Sequence, residues 1–188
     1  MEAQNDTKTI LYQLTEPVIH DSSNATFDTG FCCIAKDMDF TIFFDVSPSF
    51  RDSVPIFNCA ADTTEYNNNQ IQGKIASNGT FSVGQYPNGG NIAPIILKGV
   101  SSGTIPGWGW TSTARVVMCL VHEKGSNSVR AIYKIGSNIQ NPLDVIGNEW
   151  PTNPNYNLSS KFKGTLNALT VYSWAMTDTE CLSLVTPL

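Results

Sequence analysis

The C-terminal stretch 162–185, FKGTLNALTVYSWAMTDTECLSLV, carries the strongest structural signals in the chain. Apolar residues recur through TLNALTVYSWAM (165–176), which predicts the last strand, with Gly164 at its start. Thr177 and Glu180 have the spacing of a capping box directly before an apolar run, which predicts one short helix. We expect this helix to close one end of a β-structure.

Strand signals extend outward from this stretch over the whole chain. In DFTIFFDV (39–46) apolar residues recur at every second position, which predicts a strand with one buried face. The runs at 114–123 and 128–136 predict a hairpin, and Asn78-Gly79 predicts a second one. Residues 137–160 lack periodicity and predict a long loop. Further short strands are predicted at residues 9–14, 25–31, 54–61, 73–77, 80–86 and 93–99.

The composition agrees with an all-β fold. At 188 residues the chain is long enough for one well-cored domain, 1–188, and short for two. Charged residues make up only 14%, while 17 Asn, 17 Ser and 18 Thr supply an uncharged polar surface. With the many strands and one short helix, this predicts an antiparallel β-sandwich located outside cells or on a virus particle.

Several functional classes are disfavoured by charge and hydropathy. The net charge of −5 and the scattered basic residues argue against a nucleic-acid partner. No run of 18 apolar residues is present, so we expect no membrane insertion. The N-terminus MEAQNDTKT has no apolar signal segment, which fits an intracellularly assembled protein or an excised domain. Cys59 and Cys119 lie in apolar runs, and we expect free structural thiols.

The two ends of the chain resemble laminin-G-like domains of the concanavalin A-like lectin/glucanase superfamily. At the C-terminus the resemblance is carried by Phe162, Gly164, Leu166, Val171, Tyr172, Ala175, Met176, Thr177, Glu180 and Leu184. At the N-terminus, ILYQLTEPV, FDTGF and DMDFTIFFDV are similar to the opening strands of such domains in phage structural proteins of the tail, fibre or head decoration. The resemblance implies a jelly-roll sandwich, and it fits a lectin, a glycosidase or a structural module.

The acidic residues do not follow a glycosidase pattern. Glucanases of this superfamily carry Glu-x-Asp-x-x-Glu on one strand, since a retaining mechanism needs two carboxylates about 5–5.5 Å apart. None of the six Glu has another Glu at i+2 or i+4, and Asp37 with Asp39 fits a solvated strand start. His20 in a turn and His122 at a strand end fit solvated or packed roles. We expect no catalytic residue and no enzymatic activity, with a glycoside hydrolase assembled from distant loops as an alternative.

No cofactor is expected, with calcium as an open alternative. Many concanavalin A-like binding modules hold Ca²⁺ through carboxylates and carbonyl oxygens. The candidate carboxylates are Asp28, Asp37, Asp39 and Asp62, which form no compact loop motif. Related domains often carry an aspartate near the position of Asn167, and the amide there weakens the case for a metal.

Three segments combine aromatic rings with amides, the groups that lectins use to hold sugars: 84–91, 105–114 and 147–157. Their candidate carbohydrate-binding residues are Trp108, Trp110, Trp150, Tyr156, Tyr86 and Asn88. The alternative for each aromatic residue is to cover a small satellite core. Trp174 differs, because it lies inside the predicted last strand beside core positions and is expected to be buried.

Two functions fit these observations. In the first, the chain is a lectin-like adhesion module of a phage virion or bacterial surface protein, with a glycan as its ligand. In the second, it is a virion structural or decoration domain that binds a neighbouring structural protein or a second copy of itself. Both functions place the chain outside the cell or on the virion surface.

Overall fold

The structure, a computed structural model, describes residues 7–20, 27–32, 38–48, 55–60, 70–75, 81–86, 93–95, 115–126, 128–135, 138–146, 157–160 and 164–186. Within these ranges the chain forms thirteen strands and one helix: β1 Ile10–Gln13, β2 Val18–His20, β3 Phe27–Cys32, β4 Phe40–Pro48, β5 Pro55–Ala60, β6 Gln70–Ile75, β7 Phe81–Tyr86, β8 Ala93–Ile95, β9 Val116–His122, β10 Ser128–Ile135, β11 Asn138–Ile146, β12 Asn157–Ser160, β13 Gly164–Tyr172 and α1 Asp178–Val185. None of the described helical structure has the length and apolar character that crossing a membrane requires.

The strands form two sheets. The first sheet has the order β1-β13-β4-β9-β10-β11, and β2 pairs with β13 as well; the second has the order β3-β12-β5-β6-β7-β8. Every strand pair among the described residues is antiparallel. The predicted antiparallel β-sandwich with one short C-terminal helix is confirmed.

Both predicted hairpins are present. β6 and β7 pair antiparallel from Ile75 opposite Phe81, on either side of the predicted Asn-Gly turn. β9 and β10 pair antiparallel from Val129 opposite His122 to Ile135 opposite Val116. In the turn between them the backbone N–H of Ser126 donates to the carbonyl of Glu123 at 2.9 Å. Gly125 has a φ of 78° there, a conformation that favours glycine.

Residues 137–160 are not the single long loop that the sequence predicted. They contain β11, which pairs with β10 at the edge of the first sheet, and β12, which lies between β3 and β5. β11 contains Pro142, which has no N–H for a ladder, and the pairing with β10 shifts register between Ala131 and Tyr133. An edge position tolerates such a proline. The sequence of β11 also lacks a regular alternation of apolar and polar residues, which is why the strand was not predicted.

The helix α1 begins as predicted, with a complete capping box. The Thr177 hydroxyl accepts from the backbone N–H of Glu180 at 3.3 Å. In return a Glu180 carboxylate oxygen accepts from the backbone N–H of Thr177 at 2.8 Å. Two N–H groups that the helix leaves without an internal partner are thereby satisfied.

The prediction that β4 has one buried face is wrong, because both faces of the first sheet are covered around it. The inner face carries these side chains, each at most 2% exposed: Phe40, Ile42, Phe44, Val46, Val116, Met118, Leu120, Ala131, Tyr133, Leu166, Leu169 and Val171. On the outer face, the buried cluster comprises Phe43, Val117, Cys119, Val121, Ile132, Met176, Cys181 and Val185. Since Cys181 and Val185 belong to α1, the helix covers the second face of the sheet.

Candidate functional site

A group of polar side chains lies on the outer face of the first sheet, beyond the helix. We call Asp45, Ser47, Arg115 and Asn167 the polar corner. Asp45 and Ser47 come from β4, Arg115 directly precedes β9, and Asn167 lies where β13 shifts register against β4. This irregularity allows three elements to bring polar groups to one place on the sheet.

Asp45 is the centre of the polar corner. Its Oδ1 accepts from Arg115 Nε at 2.7 Å and from Asn167 Nδ2 at 3.1 Å, while its Oδ2 accepts from Arg115 Nη2. Asn167 Nδ2 also donates to the Ser47 hydroxyl oxygen at 2.9 Å. The arginine and the carboxylate therefore form a bidentate pair, the strongest geometry for this combination of groups.

In this pair the carboxylate of Asp45 is buried, whereas the guanidinium of Arg115 is accessible to solvent. The Asp45 side chain is 3% exposed, whereas that of Arg115 is 42% exposed. The hydrogen bond to Asp45 raises the pKa of Arg115, which stays charged. Because a guanidinium has five N–H donors and Asp45 takes two of them, Arg115 retains donors for an oxygen-rich ligand.

Trp174 lies at the opposite end of the outer face and is only partly buried, which corrects the prediction that it is buried within the last strand. β13 ends at Tyr172, and the Trp174 ring packs edge-on against Tyr172, with 4.9 Å between centroids. Lys8 Nζ lies 5.3 Å from the centroid of the Trp174 ring and 2.8 Å from Glu180 Oε1. The indole Nε1 is buried without a hydrogen-bond partner among the described residues. With Lys8 over its ring, Trp174 packs as part of the fold.

Both histidines are buried within the fold. His122 is fully buried, and its ring nitrogens lie 3.0 Å from the carbonyl oxygens of Met38 and Ser126. Its ring also stacks on Phe40 at 4.9 Å, so the predicted packed role of His122 is confirmed. His20 is the last residue of β2 and only 3% exposed, and the predicted turn at this position is wrong.

The described candidate calcium ligands are occupied by backbone donors. An Asp28 carboxylate oxygen accepts from the N–H of Gly30 at 2.9 Å, and Asp39 accepts from that of Lys124 at 2.6 Å. Asp37 and Asp62 lie outside the described residues. Within the described part of the chain, no three His, Cys, Asp or Glu side chains are grouped to hold a metal ion. Calcium binding stays an open prediction.

The predicted carbohydrate-binding residues lie outside the part of the chain whose side chains the structure describes. Tyr86 is the last residue of β7, and its side chain is not among those described. The others, Trp108, Trp110, Trp150, Tyr156 and Asn88, lie entirely outside the described residues. The carbohydrate-binding role of these residues therefore stays a prediction.

Sequence reasoning missed the polar corner. The one available signal was a charge at position 45 inside an otherwise apolar strand, because such a charge requires a partner when the strand is buried. The partner could not be identified, since Arg115 is separated from Asp45 by 70 residues.

No protein-family model matches the chain, and no curated protein matches it in sequence. The fold is similar to the CBM40 carbohydrate-binding module of the Ruminococcus gnavus IT-sialidase, with a TM-score of 0.62 and 9% identity over 94% of this chain and 100% of the module. The same module bound to α2,6-sialyllactose matches with a TM-score of 0.61 and 10% identity, over 94% of this chain and 100% of that one.

A larger enzyme contains a similar region. A leech intramolecular trans-sialidase complexed with 2,7-anhydro-Neu5Ac matches with a TM-score of 0.59 and 13% identity, over 95% of this chain. The match covers only 28% of the leech chain. At these identities the similarities establish the fold that the chain shares with these proteins.

Proposed function

We propose that the chain is a non-enzymatic carbohydrate-binding domain, formed by residues 1–188, that attaches a phage virion or a bacterial surface protein to glycans outside the cell. The observation that carries this proposal is the match to the whole length of a carbohydrate-binding module, solved with a bound sialylated sugar. A matching unit of that size corresponds to the binding module and to only a quarter or so of a sialidase chain. The sequence supports the same interpretation, since its carboxylates lack the glucanase spacing.

The polar corner and the tryptophan segment 105–114 are proposed to form one binding surface. Arg115 follows that segment directly and is the accessible member of the polar corner. Chain geometry limits the distance between the Cα atoms of Trp110 and Arg115 to about 18 Å. A sugar of two or three units spans such a distance, so rings from Trp108 and Trp110 and donors from Arg115 would contact one oligosaccharide. Aromatic rings would pack on its C–H faces while the guanidinium donates to its oxygens.

A second function, assembly with a neighbouring structural protein or a second copy of the chain, is favoured by one observation. Ile10 and Ile19 are 53% and 77% exposed, and Leu11 beside them is 36% exposed. They belong to β1 and β2, which both pair with β13 at one edge of the first sheet. Exposed apolar side chains on an edge are suited to protein contacts.

The test is a glycan array of sialylated and neutral oligosaccharides, followed by titration of the best ligand against variants. We expect Trp108→Ala and Trp150→Ala to weaken binding roughly tenfold or more, as at other aromatic contact residues. Arg115→Gln should weaken it as well. Lys124→Gln is the matched charge control, because Lys124 lies in the exposed β9–β10 turn. Trp174→Phe is the matched aromatic control.

The same samples separate the two functions. A chain that binds no glycan and forms concentration-dependent oligomers in sedimentation experiments would be an assembly domain, and substituting Ile19 with Asp should then dissociate it. If glycans bind and Arg115→Gln alone leaves the glycan affinity unchanged, the domain is a lectin whose ligand does not contact the polar corner.

A further inference from the structure

Two buried thiols from distant parts of the chain meet beneath the helix. Cys119 lies on β9 and Cys181 in the first turns of α1, and both are fully buried and free. Both belong to the buried cluster between α1 and the outer face, and Cys119 Sγ lies 4.0 Å from the Cys181 carbonyl oxygen.

The surroundings of the two thiols make them unequal. The hydrogen bond from Cys119 lowers the pKa of Cys181, and the positive charge of Arg130 contributes to the same shift. Arg130 is held in place because its Nη2 donates to the Met176 carbonyl at 2.5 Å and its Nε lies 3.2 Å from Asp178 Oδ1. The hydrogen bond and burial raise the pKa of Cys119. The attacking species in disulfide exchange is the thiolate of one of the two residues.

We propose that Cys119 and Cys181 form a reversible disulfide that locks α1 onto the first sheet when the chain meets an oxidising environment. The oxidant is a low-molecular-weight disulfide. The thiolate of one cysteine attacks one of its sulfurs and releases the first small thiol, and the sulfur of the other cysteine then displaces the second. Each protein thiol loses one proton and the pair loses two electrons, which reduce the small disulfide to two thiols.

The bridge changes the stability of the C-terminal end of the molecule. It joins residues that are 62 positions apart, so it restricts the unfolded chain over a long loop. Because both sulfurs are buried, an oxidant reaches them only when α1 opens, and formation should be slower than for a surface pair. In the reduced protein α1 is held by noncovalent contacts alone, whereas in the oxidised protein a covalent bond is added to them.

The test uses the full chain equilibrated with mixtures of reduced and oxidised glutathione, quenched by alkylation and digested with trypsin. Cleavage after basic residues leaves Cys119 alone in peptide 116–124 and Cys181 alone in 164–188, while Cys59 and the pair Cys32 and Cys33 fall in other peptides. We expect a 116–124/164–188 linked species under oxidising mixtures, reversed by excess reduced glutathione. The equilibrium constant for unfolding should fall by roughly thirty- to thousandfold in the oxidised form.

Two cysteine variants test whether the bridge joins these two residues. Cys181→Ala should abolish the linked species and the gain in urea midpoint, whereas Cys59→Ala should leave both intact. Recovery of singly alkylated 116–124 and 164–188 at every glutathione ratio, in sub-denaturing urea that lets α1 open, would overturn the proposal. So would linkage of either peptide to 9–36 or 52–74. Because the peptide analysis uses the unmodified sequence, it stands even if a variant fails to fold.

Discussion

The outer face of the first sheet is built in two different ways on the same strands. Around Phe43 and Cys119 it is apolar and lies under α1. Only two residues beyond Phe43, Asp45 is buried as a carboxylate that Arg115 and Asn167 hold. The covered part is stabilised by removal of apolar surface from water, and the polar corner by charge pairing that keeps one partner accessible. The same strands therefore hold an apolar cluster at one place and a buried carboxylate with an accessible arginine at another.

The largest expected effect concerns the covered part. Phe43→Ala should lower the free energy of unfolding by about 3–5 kcal/mol, because it leaves a cavity between sheet and helix. Urea unfolding followed by tryptophan fluorescence measures this, and Phe43→Leu should cost distinctly less. If both variants lowered the free energy of unfolding by the same small amount, α1 would not pack against this face in solution.

A smaller loss is expected in the polar corner. Asp45→Asn preserves the shape but removes the charge, which should lower the free energy of unfolding by about 1–3 kcal/mol. Arg115 can still be solvated because it is 42% exposed, so the loss should stay below that of Phe43→Ala. A double-mutant cycle with Arg115→Gln measures the coupling between the two groups. Additive losses would show that the pair contributes nothing and that the two parts do not differ as described.

A third prediction concerns the N-cap of α1, which helps to hold the helix over the outer face of the sheet. Thr177→Ala removes the hydroxyl that accepts from Glu180 and should cost about 1 kcal/mol. Thr179→Ala is the matched control, since Thr179 is exposed in the first turn and should change stability by less than about 0.5 kcal/mol. Thermal unfolding of both variants gives the comparison, and indistinguishable midpoints would contradict the role of the cap.

The smallest expected effect is a pH dependence at the same cap. Hydrogen bonding to Lys8 and to Thr177 lowers the pKa of Glu180 from 4.5 to about 2. A carboxyl whose pKa is lower in the folded state stabilises the fold above its unfolded value. This contribution is therefore complete above about pH 4.5 and is lost as the pH falls towards 2. Since the Glu180 side chain is 36% exposed, solvent and salt screen the effect.

Glu180→Gln should reduce the dependence of the free energy of unfolding on pH between pH 4.5 and 2. Above pH 5 the pH dependence should be the same as in the parent protein. Added salt should weaken the Lys8 component in the parent protein and leave the variant unchanged. An identical slope in both proteins between pH 4.5 and 2 would assign the dependence to other carboxyls.

The predictions that the structure confirms rest on short-range patterns. The capping box depends on residues three positions apart, and the β9–β10 hairpin on two apolar runs joined by a short turn. The alternation in β4 was recognised, but its second buried face was not, because α1 supplies the cover from more than 130 residues away. β11 was missed since an edge strand with a proline has no regular alternation.

Only those residues of the candidate site that lie close together in the sequence could be predicted. Trp108 and Trp110 were selected from spacing and composition, and their role stays a prediction. Neither Asp45 with Arg115 nor Lys8 with Trp174 could be found that way, because no local pattern encodes which strands lie side by side.

By itself the sequence determined the all-β class, the antiparallel hairpins and the capped C-terminal helix. These follow from side-chain periodicity and backbone capping, which act within a few residues. Only the tertiary structure decided that Asp45 is paired with Arg115, that Lys8 covers Trp174 and that Cys119 Sγ contacts the Cys181 carbonyl. The register of the first sheet and the packing of α1 create those contacts between positions 62 to 166 residues apart, over which local sequence carries no information about distance.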